Sequence, residues 1–378
     1  LKEVFEEEDF PNIEKILFSR DTHKDQEVVI CNNWNSIANE VLGPITDEDC
    51  KELAQAVLNE RVSKVKKIQG RGNSRIYQVV TEKNQVYALK YYPDLLLDPR
   101  NRLQTEVQSC HLLKDYHLTP KVIAYDVELN IALFEWIEGD HLQSVENEHI
   151  DQALSFIKKL QDIENPEFSQ PASEASTSAD KLFFQIEHRL QQFENLEDKD
   201  LHQFLYKVFK PLYQDVRRWS EQQWPVNNLL NNLPKAKLTL SPSDFGFHNS
   251  ILQSDGTLCF LDLEYFGWDD PVKLIADFIW HPAMCLSIDQ KILWLEKSFS
   301  IFYNSEEIQQ RFFAAWPLYG LKWTMILLNE FRMDGWGKKI HVDDNMEQHR
   351  EQKLCVQMNK ANAVCELIKS HQMECPYI

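Results

Sequence analysis

The chain has 378 residues, of which 43% are hydrophobic and 26% charged, and its formal net charge is −19. This length allows two domains or one two-lobed unit. The acidic charge argues against nucleic acid as a partner, because phosphate backbones are bound by clustered Lys and Arg. No apolar run approaches the roughly 20 residues of a membrane helix. The eight cysteines lie without the CxxC or CxxH spacing of a zinc site. We therefore expect a cytoplasmic protein with neither a membrane nor a nucleic acid as partner.

The first 61 residues form an opening segment of their own. The stretches "IEKILFSRD" and "QEVVICNNW" predict two short strands, and "TDEDCKELAQAVLNERV" predicts a helix. Thr46 is the expected N-cap of that helix, with Asp49 three residues later in the arrangement of a capping box. The role of this N-terminal extension, residues 1–61, is open. It either extends the next domain or covers a cleft.

Residues 62–138 read as a small β-rich lobe. Its predicted strands are "VSKVKKI", "RIYQVVT", "QVYALKYY", "VIAYDVE" and "IALFEWI". One helix interrupts them, "RLQTEVQSCHLLKDY", which places Leu103, Val107, Cys110 and Leu113 on one face. We expect this N-lobe to be the nucleotide-binding part of the chain.

Residues 139–378 read as a larger, mostly helical C-lobe. A β-hairpin breaks the helices, because "SILQ" and "TLCFLDLE" flank the turn signal Ser254-Asp255-Gly256. The last helix repeats apolar residues every three or four positions from Leu354 to Ile368, which favours packing on the core, with a homodimer seam as the alternative. The fold class predicted is α+β, with two lobes.

Four N-lobe residues suit the binding of phosphates. Gly70 and Gly72 lie between two strands, where glycines let backbone amides approach an anion closely. Lys90 lies on an otherwise apolar strand, and Glu106 follows on the helix. An ion pair between these two side chains would hold the Lys in place for an anionic ligand.

The stretch "LSPSDFGFHNS" contains the predicted catalytic loop, residues 240–250. Asp244 is the expected base that accepts a proton from an attacking hydroxyl, and Gly246 is expected to let the loop turn. Asn249 and Asp262 are oxygen donors suited to Mg²⁺, with Asp262 placed on the second strand of the hairpin, residues 257–264. Glu264 falls on the same strand face as Asp262.

The motifs "SDFGFHNS", "FLDLEYFGWDDP", "IADF" and "YALKYY" resemble the aminoglycoside phosphotransferase and choline kinase family of the protein-kinase-like superfamily. The resemblance implies a bilobal kinase fold with ATP and Mg²⁺ as cofactors. It implies that Asp244 is the catalytic base, that Asn249 and Asp262 bind Mg²⁺, and that Lys90 and Glu106 anchor phosphates. It also implies that "FEWIEG" is the hinge, so that Glu135, Trp136 and Ile137 offer backbone groups to adenine, and that Asp277 braces the loop.

One position departs from the family pattern. The family usually has a His two residues before the catalytic Asp, where this chain has Pro242. That His normally supports the geometry of the loop. The departure keeps open a second hypothesis, a nucleotide-binding pseudokinase that acts as a scaffold. A protein kinase is disfavoured, because the stretch "FLDLEYFGWDDP" has no Asp-Phe-Gly followed by an Ala-Pro-Glu element.

The acceptor is expected to be a small hydroxylated molecule, such as a sugar, an amino alcohol or an aminoglycoside. The stretch "AAWPLYGLKWTMILLNEFRMDGW" offers aromatic residues that could cage a quaternary ammonium or stack on a sugar ring. The candidate acceptor-binding residues are Glu264, Asp269, Trp323 and Glu330. A Trp-rich helix packed in the core is the alternative for this stretch.

Overall fold

The computed structural model describes residues 46–68, 74–93, 98, 100–164, 166–225, 229–302, 305–332 and 346–378, and the backbone of two strands at 16–20 and 27–31. The chain divides into two compact units. The N-terminal unit comprises residues 1–107 and 121–136, and the C-terminal unit comprises residues 108–120 and 137–378. Within the described ranges, no helix is both long enough and apolar enough to cross a membrane.

The N-terminal unit contains a five-stranded antiparallel sheet of β3 (Val62–Ile68), β4 (Arg75–Thr81), β5 (Val86–Tyr91), β6 (Val122–Asp126) and β7 (Ile131–Glu135). All five strands were predicted from the sequence, and their order in the sheet is β3-β4-β5-β7-β6. The two strands predicted in the opening segment also form, as a hairpin of β1 (Ile16–Arg20) and β2 (Glu27–Cys31). In the sheet, β5 lies between β4 and β7, so Lys90 pairs with Ile76 on one side and Ala132 on the other.

Helix α1 (Asp47–Leu58) covers this sheet. Its predicted capping box forms, because the Asp49 N–H donates to Thr46 Oγ1 at 3.2 Å and the Thr46 N–H donates to Asp49 Oδ2 at 2.7 Å. Cys50 and Ala54 are completely buried in one hydrophobic cluster with residues of the sheet such as Val79. The last part of the opening segment therefore extends the N-terminal unit.

Helix α2 (Arg102–Leu113) follows β5 in the chain, as predicted. Its apolar face is buried, with Leu103, Val107, Cys110 and Leu113 each at most 3% exposed. The 3.6-residue period of that face thus identified both the helix and its buried side.

The C-terminal unit is mainly helical. Its helices are α3 (Asn147–Gln161), α4 (Ala179–Glu194), α5 (Lys199–Phe204), α6 (Lys210–Gln223), α7 (Pro271–Trp280), α8 (Ile288–Ile301), α9 (Ser305–Leu327) and α10 (Met346–Ser370). A single π-helical turn, Leu205–Phe209, joins α5 to α6. Buried residues repeat at helical spacing on α10, where Ala361 and Cys365 are fully buried, so this helix packs on the core.

Two short strand pairs carry the loop predicted to be catalytic. The predicted hairpin forms from β9 (Ser250–Leu252) and β10 (Leu258–Phe260), with Gly256 at a φ of 86° in its turn. A second strand pair joins β8 (Thr239–Ser241), which precedes the hairpin in sequence, to β11 (Gly267–Asp269), which follows it. The strand β11 was not predicted. Residues 242–249 are consequently held at both ends by paired strands.

The placement of Asp262 on the second hairpin strand was wrong. That strand ends at Phe260, and Asp262 has a left-handed backbone with a φ of 62°. The Leu261 N–H donates to the Asn249 carbonyl at 2.8 Å. This bond connects the hairpin to the predicted catalytic loop beyond the last paired residues, and Asp262 lies in the irregular segment that follows the strand.

Candidate active site

Lys90 and Glu106 form a buried ion pair in the N-terminal unit. Lys90 Nζ lies 2.6 Å from Glu106 Oε2, and the Tyr92 hydroxyl donates to the same oxygen at 2.7 Å. Lys90 is 6% exposed and Glu106 5%. In a medium of low polarity such a pair fixes the position of the ammonium group strongly. The predicted pairing of these two residues is therefore present, whereas Gly70 and Gly72 lie outside the described residues.

The predicted hinge follows the end of β7. The Glu135 N–H donates to the Lys121 carbonyl at 2.8 Å, so this backbone donor is already used within the N-terminal unit. Trp136 and Ile137 are both half-buried. The three residues lie on either side of the division between the two units, since Trp136 ends one and Ile137 begins a segment of the other.

The predicted catalytic loop, residues 240–250, turns at Ser243, not at Gly246. Ser243 has a φ of 69°, and the Asp244 N–H donates to the Pro242 carbonyl at 2.9 Å, which is the pattern of a γ-turn with positive φ. This strained conformation is held by the Ser243 hydroxyl, which donates to the Ser173 carbonyl at 3.0 Å and accepts from Lys273 Nζ at 2.9 Å. The turn directs Asp244 out of strand β8.

Lys273 is buried on α7 between two carboxylates. Its Nζ lies 3.3 Å from Asp269 Oδ2 and 3.2 Å from Asp277 Oδ2. Burial alone would lower the pKa of Lys273, but the charges of Asp269 and Asp277 outweigh it and raise the pKa. Sequence reasoning missed Lys273, although its spacing of four residues from each carboxylate on an otherwise apolar helix was a usable signal. Through Ser243, this cluster supports the catalytic loop.

Asp269, one of the candidate acceptor-binding residues, is completely buried. Its Oδ1 accepts from the Ser176 N–H at 2.9 Å and the Asp270 N–H at 2.8 Å. With Oδ2 facing Lys273, both oxygens of the carboxylate point to protein groups. These contacts favour a structural role for Asp269 over contact with an acceptor.

Asp244 presents a carboxylate that is both anchored and accessible. Its side chain is 36% exposed, and His248 Nε2 lies 3.1 Å from Oδ1. The Asn249 amide donates to the Asp244 carbonyl at 3.0 Å and to Oδ2 at 3.3 Å. Burial raises the pKa of the Asp244 carboxyl, but the His248 hydrogen bond, with His281 and Asn249 nearby, outweighs it and lowers the pKa to about 2. The group is therefore ionised at neutral pH.

Gly246 is required by space rather than by its backbone angles. Its φ of 168° is ordinary extended backbone. A Cβ at this position would come within 2.5 Å of Met284 Sδ and 2.8 Å of His248 Nδ1. The absence of a side chain thus lets the His248 ring lie against the loop.

Asn249 and Asp262 fit a magnesium ion in their donor chemistry. Because the Asn249 NH₂ group faces Asp244, its side-chain oxygen is directed away from that carboxylate. Asp262 adds a carboxylate, and the Leu261–Asn249 backbone bond keeps the two residues connected. Oxygen donors of this kind are the ones Mg²⁺ takes, together with phosphate oxygens and water. Glu264 is buried, at 5% exposure.

The aromatic residues of α9 lie mostly in the core. Trp316 and Tyr319 are each 1% exposed, and Trp316 stacks on Trp280 with ring centroids 4.3 Å apart. Trp323 is 9% exposed, and its Nε1 donates to Asp277 Oδ1 at 2.8 Å. Glu330 is half-buried, with Lys353 Nζ 3.5 Å away. Core packing therefore accounts for Trp316 and Tyr319.

Comparison with solved structures identifies the fold. LicA, a choline kinase from Streptococcus pneumoniae, matches with 17% identity over 82% of this chain and 98% of its own, at a TM-score of 0.51. A Plasmodium vivax ethanolamine kinase matches with 14% identity over 89% and 90%, at 0.55. A spectinomycin phosphotransferase, solved with ADP and spectinomycin, matches with 13% identity over 85% and 99%, at 0.54. The chain therefore has a kinase-like fold.

Comparison at the level of sequence identifies the family. No curated protein matches the chain. The profile of the phosphotransferase enzyme family matches residues 64–297, which include Lys90, Glu106, Asp244, Asn249 and Asp262. This match covers more than half of the sequence. The chain belongs to the phosphotransferase enzyme family.

Proposed function

We propose that the chain is an ATP- and Mg²⁺-dependent kinase that phosphorylates a hydroxyl group of a small molecule. The observation that carries the proposal is the ionised, partly exposed carboxylate of Asp244 on a loop held by buried polar contacts. The acceptor oxygen attacks the γ-phosphorus, the bond from that phosphorus to the β–γ bridging oxygen breaks, and the hydroxyl proton passes to Asp244. The products are a phosphate ester and ADP.

The remaining residues bind and orient the nucleotide in this proposal. Lys90, held by Glu106, contacts phosphate oxygens, and Gly70 and Gly72 offer backbone amides to them. The Glu135–Ile137 segment contacts the adenine. Asn249 and Asp262 hold Mg²⁺, which supplies neutralisation of the charge on the transferred phosphoryl group.

The acceptor is proposed to be a sugar, an amino alcohol or a molecule like an aminoglycoside. The structural neighbours include kinases named for choline, ethanolamine and spectinomycin, all of which are small hydroxylated molecules. Burial of Trp316 and Tyr319 weighs against an aromatic cage made from these two residues. Trp323, Glu264 and Glu330 stay as candidates for contact with the acceptor.

A nucleotide-binding pseudokinase is the second candidate function, and Pro242 is the observation that favours it. This residue replaces a histidine that supports the loop in the family. In this chain, however, Lys273 and the Ser243 hydroxyl support the same loop. The two candidates differ in turnover. Binding of Mg·ATP without ATP consumption against a broad panel of alcohols would favour the pseudokinase.

The test combines a coupled ATP-consumption screen of amino alcohols, sugars and aminoglycosides with an Asp244→Ala variant. Loss of a general base costs about 10²–10⁴-fold in rate, and Mg·ATP binding measured by calorimetry should stay close to that of the wild type. Asp255→Ala is the matched control, because Asp255 is an exposed carboxylate in the hairpin turn. A fully active Asp244→Ala variant would sink the proposed function.

A further inference from the structure

Two histidine rings lie together on the carboxylate of Asp244. The rings of His248 and His281 stack with centroids 3.8 Å apart and planes 5° from parallel. The ring of His281 also contacts the ring of Trp323 in a T-shaped arrangement, with centroids 4.7 Å apart. Trp323 is itself fixed by its hydrogen bond to Asp277. The His281 ring thus contacts two other rings, one of which is anchored to helix α7.

The surroundings of the two rings decide which nitrogen carries the proton. The Ala283 N–H donates to His281 Nδ1 at 3.2 Å, so the neutral ring bears its proton on Nε2, which lies 3.7 Å from Asp244 Oδ1. His248 Nε2 lies 3.1 Å from the same oxygen, which accepts because the carboxylate is ionised. His248 Nδ1 is buried and has no hydrogen-bond partner in the part of the chain described. Both rings therefore turn an N–H toward Oδ1.

The same assignment decides against a metal ion at this cluster. Asp244, His248 and His281 offer ligand atoms within 4.8 Å of one another, a spacing that a metal site also has. Coordination through Nε2 would require His281 to move its proton to Nδ1, which already accepts from a backbone N–H. His248 serves as a hydrogen-bond donor to Asp244 instead.

We propose that His248, backed by His281, is a positioning residue that fixes the rotamer of Asp244 and reserves Oδ2 for the acceptor hydroxyl. Oδ1 accepts a hydrogen bond from His248 at 3.1 Å, whereas the contact of the Asn249 amide with Oδ2, at 3.3 Å, is longer. His248 therefore contacts the carboxylate of the base directly, whereas Lys273 supports the loop through Ser243. They supply support in a loop that has Pro242 where the family has its histidine. This inference rests on the proposed function of Asp244 as the base.

Two His248 variants distinguish the contribution of the donor N–H from the contribution of the stacked ring. His248→Phe keeps a ring stacked on His281 but removes the donor, while His248→Gln keeps an N–H near the position of Nε2. With the acceptor that gives the highest rate in the screen, we expect kcat of His248→Phe to fall about 100-fold, since a misplaced catalytic group costs that much. KM for Mg·ATP should stay within about twofold. His248→Gln should recover most of the rate, and His281→Phe should lose less, because its Nε2 lies farther from Oδ1. Equal loss in the Phe and Gln variants, or full activity in both, overturns the proposal.

A second measurement does not depend on turnover. In protein labelled with ¹⁵N in the histidine rings, NMR identifies the ring signals that disappear in the His248→Gln and His281→Gln variants, and each of these rings should carry hydrogen on Nε2. Hydrogen on Nδ1 alone in either ring would contradict the proposed arrangement. If the rings are as expected and no acceptor is phosphorylated, the proposed function fails while the hydrogen-bond assignment stands.

Discussion

The Lys90–Glu106 pair offers a direct test of how burial sets the strength of an ion pair in this fold. The perturbation is a double-mutant cycle of Lys90→Met, Glu106→Gln and the double variant. Glu106→Gln keeps the shape of the side chain and an oxygen for the Tyr92 hydroxyl, so its main effect is removal of the negative charge. Lys90→Met keeps the aliphatic length and removes the positive charge.

The magnitude follows from burial. The side chains of Lys90 and Glu106 are only 8% and 6% exposed, and their charged atoms lie 2.6 Å apart. Removing one partner of a buried ion pair costs about 3–5 kcal/mol of unfolding free energy, because the other charge stays in a poorly solvating environment. Replacing both partners is often nearly neutral. We therefore expect each single variant to lose about 3–5 kcal/mol and the double variant to lie within about 1 kcal/mol of the wild type.

Urea denaturation followed by far-UV circular dichroism measures the four free energies of unfolding. A parallel measurement of Mg·ATP affinity separates stability from function, since the double variant should regain stability but still bind the nucleotide weakly. Single variants that unfold within about 1 kcal/mol of the wild type would refute the reasoning. In that case the pair would behave as a solvated surface ion pair.

Three further predictions concern residues away from the nucleotide. Gly267→Ala should destabilise the protein by about 3 kcal/mol, since its Cβ would come within 2.3 Å of a backbone nitrogen. In the control variant Gly256→Ala the new Cβ has open space, so this variant should cost only about 1–2 kcal/mol, for the positive φ of the residue. Equal thermal unfolding midpoints of the two variants would contradict this. Lys273→Met should lower the free energy of unfolding, measured by urea denaturation, by about 3–5 kcal/mol. Replacement of the exposed Lys297 by Met should lower it by less than about 1 kcal/mol. Similar losses in the two variants would show that burial does not decide the contribution of these lysines. Burial raises the pKa of Cys365 from 9.0 to about 12, so above pH 9 the unfolded thiol loses its proton first and stability falls as the pH rises. Between pH 8 and pH 10 the wild type should therefore lose about 1.4 kcal/mol more than Cys365→Ala, and parallel losses would disprove this.

The secondary structure was predictable where its signals are local. The capping box of Thr46 and Asp49 identified the start of α1, and short β-rich runs separated by turn signals identified the five strands of the sheet. Ser254-Asp255-Gly256 located the hairpin turn. Each of these preferences is set by residues within a few positions of one another, so it is visible in a single sequence.

The placement of Asp262 and Gly246 could not be predicted in the same way. Asp262 follows an apolar run that looks like strand to its end, but the last paired residue is Phe260. Gly246 was expected to let the loop turn, but the turn lies at Ser243, which has the positive φ. In both cases the decisive contacts come from elsewhere in the chain. Lys273 lies 30 positions after Ser243, and Met284, which packs against Gly246, lies farther still.

By itself, the sequence determined the order of the elements, the family and the set of residues able to carry phosphoryl-transfer chemistry. It did so because side-chain type and spacing decide which chemistry is available. Only the tertiary structure decided which of those groups share one environment. It paired Lys90 with Glu106 in a buried site, buried Asp269 among protein donors, and brought His281 beside Asp244. The interaction energy and the pKa of a charged group depend on its burial and on partners that are distant in sequence. Both are set only when the chain folds.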